Sequence, residues 1–138
     1  GSGSVDFIIG LPAMLSLKWF TLFGDVVYKI NTEANGFRLG NVLHYDLAVD
    51  YRGLSVFGRD LFLVLELNGL NEQKGSLPSS NGNLLFLSPG LQFFPAPPLL
   101  LEASVQIPIL RENFGTHLVP EYNVVFGLRY LFPTAPGK

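Results

Sequence analysis

The sequence predicts an all-β chain, an antiparallel up-and-down meander that forms part of a transmembrane β-barrel. Three observations predict it. Hydrophobic residues make up 48% of the 138 positions and charged residues only 14%, and the mean hydropathy is +0.33, more apolar than an ordinary soluble domain. No apolar run approaches the roughly 18 to 20 residues that a membrane-crossing helix needs; the stretch Leu61–Leu65 is cut by Glu66 and Asn68. Finally, apolar residues recur at every second position over segments of about ten residues, the period of a strand and the length of a tilted strand crossing a bilayer.

Taken in order, seven segments carry the strand signal: Val5–Leu15, Trp19–Ile30, Arg38–Tyr51, Leu61–Leu70, Leu84–Phe93, Leu99–Leu110 and Tyr122–Phe132. Their connections alternate in character. Asn31–Phe37, Asn71–Asn83 and Arg111–Glu121 are polar loops, whereas Ser16–Lys18, Arg52–Asp60 and Phe94–Pro98 are mostly shorter. Long loops at one end and short turns at the other are the pattern of outer-membrane barrels, and the long loops are expected outside the cell. Arg52–Asp60 is too long for that scheme. Pro89 and Pro108 fall inside strands, where proline removes a ladder hydrogen bond, so each is expected at a bulge or local break. The whole chain, 1–138, reads as a single domain with seven strands of an incomplete barrel, since bacterial single-chain barrels have even strand counts. The first and last strands should therefore lack partners.

The charges decide which face is which. In the second segment Phe20, Leu22, Gly24, Val26, Tyr28 and Ile30 alternate with Thr21, Phe23, Asp25, Val27 and Lys29. The third sets Leu43, Tyr45, Leu47, Val49 and Tyr51 against His44, Asp46, Ala48 and Asp50; the fourth sets Leu61, Leu63, Leu65 and Leu67 against Val64, Glu66 and Asn68. The same split continues through Gln92, Glu102, Gln106 and Arg129. Every mid-strand charge falls in one register. A charge facing lipid at mid-bilayer costs about 2 to 4 kcal/mol, enough to impose such a partition. A soluble sandwich or a lipocalin-like ligand-binding barrel, with the apolar register inward, gives the same alternation. It differs in its polar face, which should then be rich in Lys, Glu and Thr; here Gly, Ser, Ala, Val and Phe sit beside isolated charges. Trp19, Phe20, Tyr51, Phe93 and Tyr130 fall near one end of the strands and Tyr28 and Tyr122 near the other, as interfacial girdles do. Tyr45, mid-strand, does not fit a girdle.

The inward candidates lining a lumen are Asp25, Lys29, Arg38, His44, Asp46, Asp50, Glu66, Gln92, Glu102, Gln106 and Arg129. With Asp6, acids outnumber bases on this face, a balance that leans toward excluding anions. Net charge of -2 and a basic count of 9 against 11 acids give no nucleic-acid footprint. Without cysteine there is neither a disulfide framework nor a thiolate metal site. His44, Asp46 and Asp50, with His117 in a loop, are the only hints of a catalytic or metal set. They lack the nucleophile–base–acid or three-ligand convergence such chemistry requires, and Ser88 and Ser104 point inward, so the expectation is no enzyme, no metal and no cofactor.

The closing strand, EYNVVFGLRYLF, ends in Gly127, Tyr130 and Phe132, a Gly-x-x-aromatic-x-aromatic pattern similar to the C-terminal membrane-insertion signal of bacterial outer-membrane barrels. FLSPGLQFF followed by LEASVQIPIL, together with GSGSVDFIIG, GDVVYKINTEANGFRLGN, ELNG and the final VFGLRYLF, resembles one family along the whole chain, the outer-membrane barrels described as transporters of the MetA pathway of phenol degradation. The resemblance implies that the chain is the C-terminal portion of a longer barrel. It also implies that Gly1–Ser4 is native loop, and that the expected location is the bacterial outer membrane. The partners it implies are the lipid bilayer, the barrel-assembly machinery and a small-molecule solute, aromatic or hydrophobic, that passes through a porin-like channel. A structural or adhesive outer-membrane barrel is the other membrane reading. Two departures from the pattern are Pro133–Lys138, which follow the terminal aromatic, and Val125, where the insertion signal usually carries a polar residue.

Overall fold

A computed structural model describes residues 4–76, 81–112 and 121–132; Gly1–Gly3, His117 and the Pro133–Lys138 tail lie outside the described residues. Seven strands follow one another: β1 (Phe7–Ser16), β2 (Phe20–Ile30), β3 (Val42–Val56), β4 (Arg59–Glu72), β5 (Gly82–Ala96), β6 (Leu99–Glu112) and β7 (Asn123–Tyr130). They form one antiparallel up-and-down sheet in sequence order, and the described residues contain no helix. The sheet is not closed: β1 pairs only with β2 and β7 only with β6.

Period-2 alternation fixed the register. Because side chains switch faces at every residue, a slip of one would exchange the two faces throughout a strand. The observed pairing runs Asp25↔Asp46, Asp46↔Asn68, Ala48↔Glu66 and Glu66↔Ser88, so polar residues share one face across β2 to β5. On the other, Leu22↔Val49, Val49↔Leu65 and Leu65↔Pro89 continue the apolar register.

The two faces differ in burial in the sense opposite to a soluble protein. Among the described strand residues other than glycine, those buried are Thr21 (0% exposed), Ser88 (1%), Val64 and Leu100, all in the polar register. In the apolar register Leu47, Leu63, Leu65 (48%), Leu91, Val105, Val124, Phe126 (79%) and Leu128 are exposed. A single sheet crowds the side chains on its concave side, so the polar register occupies the concave face and the apolar register the convex one. Among the described residues Val64 and Leu100 are the only buried hydrophobic side chains, so there is no apolar core.

Several boundaries differ from the sequence expectation, each for a local reason. β3 begins at Val42, not Arg38. The preceding Ala34–Phe37 segment closes on itself, with Asn35 (φ 55°) and Gly36 (φ 76°) both left-handed and mutual Ala34–Phe37 backbone bonds of 2.9 and 3.0 Å. That is the tight turn favoured by an Asn-Gly pair. The long Arg52–Asp60 connection does not exist. β3 runs on to Val56, turns through Phe57 (φ 52°) and Gly58 (φ 70°), and returns from Arg59. A bulge between Tyr51 and Leu54 takes up the extra residue. All three connections at this end are therefore short: 17–19, 57–58 and 97–98. Those at the other end, 31–41, 73–81 and 113–122, are long. The prolines sit as expected: the β5–β6 register shifts where Phe86 meets Pro108, and pairing to β6 lapses at Ser88 and Pro89 before resuming at Gly90.

Candidate functional site

The concave face is ordered in rows that cross the sheet along the pairing register, and its polar side chains fall into two regions. In the first, over β1 to β4, Pro12 opposes Asp25, Asp25 opposes Asp46, and Glu66 lies one row away beside Ala48. These strands border an open recess of about 530 Å³ whose lining includes Pro12, Met14, Phe23, Asp25, Asp46, Ala48, Glu66 and Asn68. Asn68 Nδ2 donates to Asp46 Oδ1 at 2.9 Å, and Ser88 Oγ donates to Asn68 Oδ1 at 3.1 Å, a ladder over three strands. The carboxylates of Asp50, Asp46 and Glu102 are all close enough for their charges to act on Glu66. Asp25 Oδ1 and the Thr21 hydroxyl are shielded from solvent and have no hydrogen-bond partner among the described residues.

In the second region, over β5 to β7, the polar groups are paired. Glu102 accepts from Gln92 Nε2 at 3.4 Å and lies 3.7 Å from Arg129 Nη2. Gly127 is the residue directly opposite Glu102, and any side chain there would occupy the space of the Glu102 carboxylate. Asn123 Nδ2 donates to Gln106 Oε1 at 3.3 Å. A second, smaller recess of about 240 Å³ lies here, between Glu66, Ser88, Gln92, Glu102 and Gln106.

Of the remaining candidates, Lys29, His44 and Arg38 lie nearer the long-loop end and Asp50 nearer the short-turn end. Lys29 pairs with Asp6 at 3.2 Å, tying the start of β1 to the end of β2. His44 is on the concave register, opposite Val27 and Leu70, exposed and without a hydrogen bond among the described residues. Asp50 lies in the row of Thr21 and Val64. Arg38 is in the β2–β3 connection, exposed, where its backbone exchanges hydrogen bonds with Ser76. It is therefore removed from the strand face on which the sequence placed it. Asn68, Ser88 and Asn123, which complete the networks, were readable from the same parity as the charges. Pro12 and Met14 were not, because β1 is apolar in both registers and only its pairing with β2 reveals its inward side.

The convex face has defined limits. At the short-turn end Phe20 and Tyr51 stack at 5.1 Å, and Tyr130 meets Phe132 edge-on at 4.9 Å, Phe132 lying just past the strand. Lys18 lies 5.1 Å from the Trp19 ring in the first turn. At the long-loop end the apolar register gives way to a row of polar side chains: Asn71 bonds Asn83, and Asn83 donates to Glu112 at 3.1 Å. Beside that row the Tyr28 hydroxyl donates to Gln73 at 3.3 Å and accepts from Asn41. The mid-strand Tyr45 has a local role instead of an interfacial one: its ring lies over Gly69, the residue opposite, in space that a side chain there would fill.

Comparison of the chain with protein-family models, with curated proteins and with solved structures finds no match.

Proposed function

We propose that this chain is a segment of the wall of a bacterial outer-membrane β-barrel whose concave polar face lines a passage for small aromatic or hydrophobic compounds. One observation carries the reading: the apolar register is exposed on the convex face, and the apolar band is bounded by aromatic rings at one end and by Asn71, Asn83 and Glu112 at the other. Leaving a large apolar side chain in water forgoes about 1.5 to 3 kcal/mol. Over the eight convex side chains named above, each between 37% and 79% exposed, that is on the order of 5 to 15 kcal/mol, comparable to a domain's entire net stability. A bilayer removes this penalty. The resemblance of FLSPGLQFF, LEASVQIPIL and VFGLRYLF to the phenol-degradation barrel family supports the same assignment.

In lipid the two open edges need closure, since each unpaired backbone group there costs several kcal/mol. All neighbours are antiparallel, so β1 and β7 run in the same direction. Pairing them with each other, or with a second copy whose long loops are on the same side, makes a parallel seam. An odd number of further strands, the first and last running against β7 and β1, keeps the whole wall antiparallel and the total even.

Extraction and flux test this reading. The protein is expected to stay with outer membranes through an alkaline wash, to need detergent for extraction, and to raise the efflux of a small aromatic solute from liposomes. Insertion without flux would leave a structural barrel and remove the passage. A monomer that melts cooperatively in detergent-free buffer would overturn the membrane assignment itself.

A further inference from the structure

We infer that the wall carries a lateral port between β5 and β6, through which an uncharged apolar or aromatic compound leaves the concave face for the bilayer. The inference rests on the membrane-wall reading and adds to it a route that does not run the length of the lumen.

Two recesses lie back to back at one place in the sheet. The concave one, of about 240 Å³, and a convex one, of about 370 Å³, share Gly90, Leu91, Ala103 and Ser104 in their linings. Here Gly90 opposes Ser104 and Leu91 opposes Ala103. Gly90, Ala103 and Ser104 are small, so little beyond the two strand backbones separates the two spaces. The convex lining adds Pro89, Val105, Val124 and Phe126 and includes no charged residue. Its volume lies in the range of small-molecule sites, about 300 to 1,000 Å³. The concave lining includes Ser88, Gln92, Gln106, Glu66 and Glu102, so a solute crossing here passes from a polar surface to an apolar one.

The strand pairing is weakened at the same place. Between Leu87↔Ile107 and Gly90↔Ser104 the β5–β6 ladder lapses, and the constant register across the gap sets Pro89 opposite Val105. The backbone groups of an antiparallel strand face its two neighbours by turns. Leu131 N donates to Pro98 O, so the even-numbered residues of β6 address β7 and the odd-numbered ones β5. The Val105 carbonyl therefore turns toward Pro89, which has no N–H to offer it. A register shift follows at Leu85–Phe86, where Phe86 meets Pro108. By contrast the β1–β2, β2–β3, β4–β5 and β6–β7 registers run unbroken, and β3–β4 shifts only at its short-turn end. Parting the strands at Pro89 thus breaks fewer hydrogen bonds than parting them elsewhere in the wall, and it joins the two recesses.

The test follows a neutral aromatic dye, N-phenylnaphthylamine, which fluoresces once it is in lipid, into outer-membrane vesicles carrying the protein. The lipopolysaccharide of their outer leaflet slows its direct entry. The chain has no cysteine, so Gly90→Cys with Ser104→Cys allows one disulfide to be made and reduced across the port. Oxidation is expected to lower dye entry to that of vesicles without the protein, and reduction to restore it. Uptake of phenylalanine, a zwitterion that cannot leave through lipid, should be unchanged. Dye entry should also be unchanged when Leu67→Cys with Leu87→Cys locks β4 to β5 instead. Pro89→Val returns the missing donor without a lock and should slow dye entry about three- to tenfold, the weight of one hydrogen bond on the opening. It judges the port alone if the double variant does not insert. Dye entry unchanged by the lock and by Pro89→Val overturns the port, as does a lock that lowers dye and phenylalanine uptake alike. Either result leaves the membrane wall standing. Protein that an alkaline wash removes from the vesicles overturns the wall and the port together.

Discussion

Leu65 and Glu66 are neighbours in β4, yet they belong to two different chemical surfaces. Leu65 sits on a convex face where Val49 and Pro89 flank it and it stays about half exposed; Glu66 sits on a concave face among Ala48, Ser88 and other acids. A soluble sheet inverts this arrangement, burying its leucines and exposing its carboxylates. The difference teaches that the buried side of a sheet need not be its apolar side. Here curvature buries the polar register and leaves the apolar register exposed, an arrangement that suits the apolar surroundings proposed above.

Breaking that match should give the largest effect. Leu65→Arg places a charge in the middle of the convex band and is expected to cost about 2 to 4 kcal/mol in lipid, read by urea unfolding in vesicles. Asn71→Arg, in the same register but in the polar end row, should cost only about 0 to 1 kcal/mol. Equal costs at the two positions would remove the depth dependence that defines a membrane band.

On the concave face, Asn68→Leu removes the centre of the Asp46–Asn68–Ser88 ladder and leaves the buried Ser88 hydroxyl without its acceptor. The expected loss is about 1 to 3 kcal/mol in the same unfolding assay. The β3–β4 turn belongs to neither face, and Gly58→Ala there, at φ 70°, should cost about 1 kcal/mol. Smallest of all is Arg129→Gln. Its partner is 3.7 Å away and the Arg129 side chain is 61% exposed, so about 0 to 1 kcal/mol is expected. A larger loss would mean that this pair is shielded by further strands beyond β7.

Much of this was legible in the sequence, and what was missed has physical causes. Strand existence and facing were readable in β2 to β7 because a period of two survives any error at the ends. Arg52, Arg59 and Asp60 made the β3–β4 connection look like a polar loop. Strands can continue past an apolar band into polar surroundings, and neither the bulge at Arg52–Gly53 nor the Phe57–Gly58 turn carries the Asn-Gly signature that marks the turn at Asn35–Gly36. Arg38 was misplaced because that same small turn displaced the start of β3 to Val42. Of the recess, the carboxylates could be read from their parity. Its apolar floor could not, because Ile8, Ile9, Leu11 and Pro12 give β1 no contrast between registers. Only the pairing Pro12↔Asp25 and Met14↔Phe23 assigns it a side.

The chain contains no cysteine, so a single engineered thiol can report from any position without background. Spin labels placed one at a time at Leu63, Val64, Leu65, Glu66 and Leu67, with the protein in vesicles, measure collision with oxygen dissolved in lipid against a water-soluble nickel complex. The alternation predicts high oxygen and low nickel access at 63, 65 and 67, and the reverse at 64 and 66. High nickel access at 63, 65 and 67, or no alternation at all, would contradict the lipid-facing register on which the account depends.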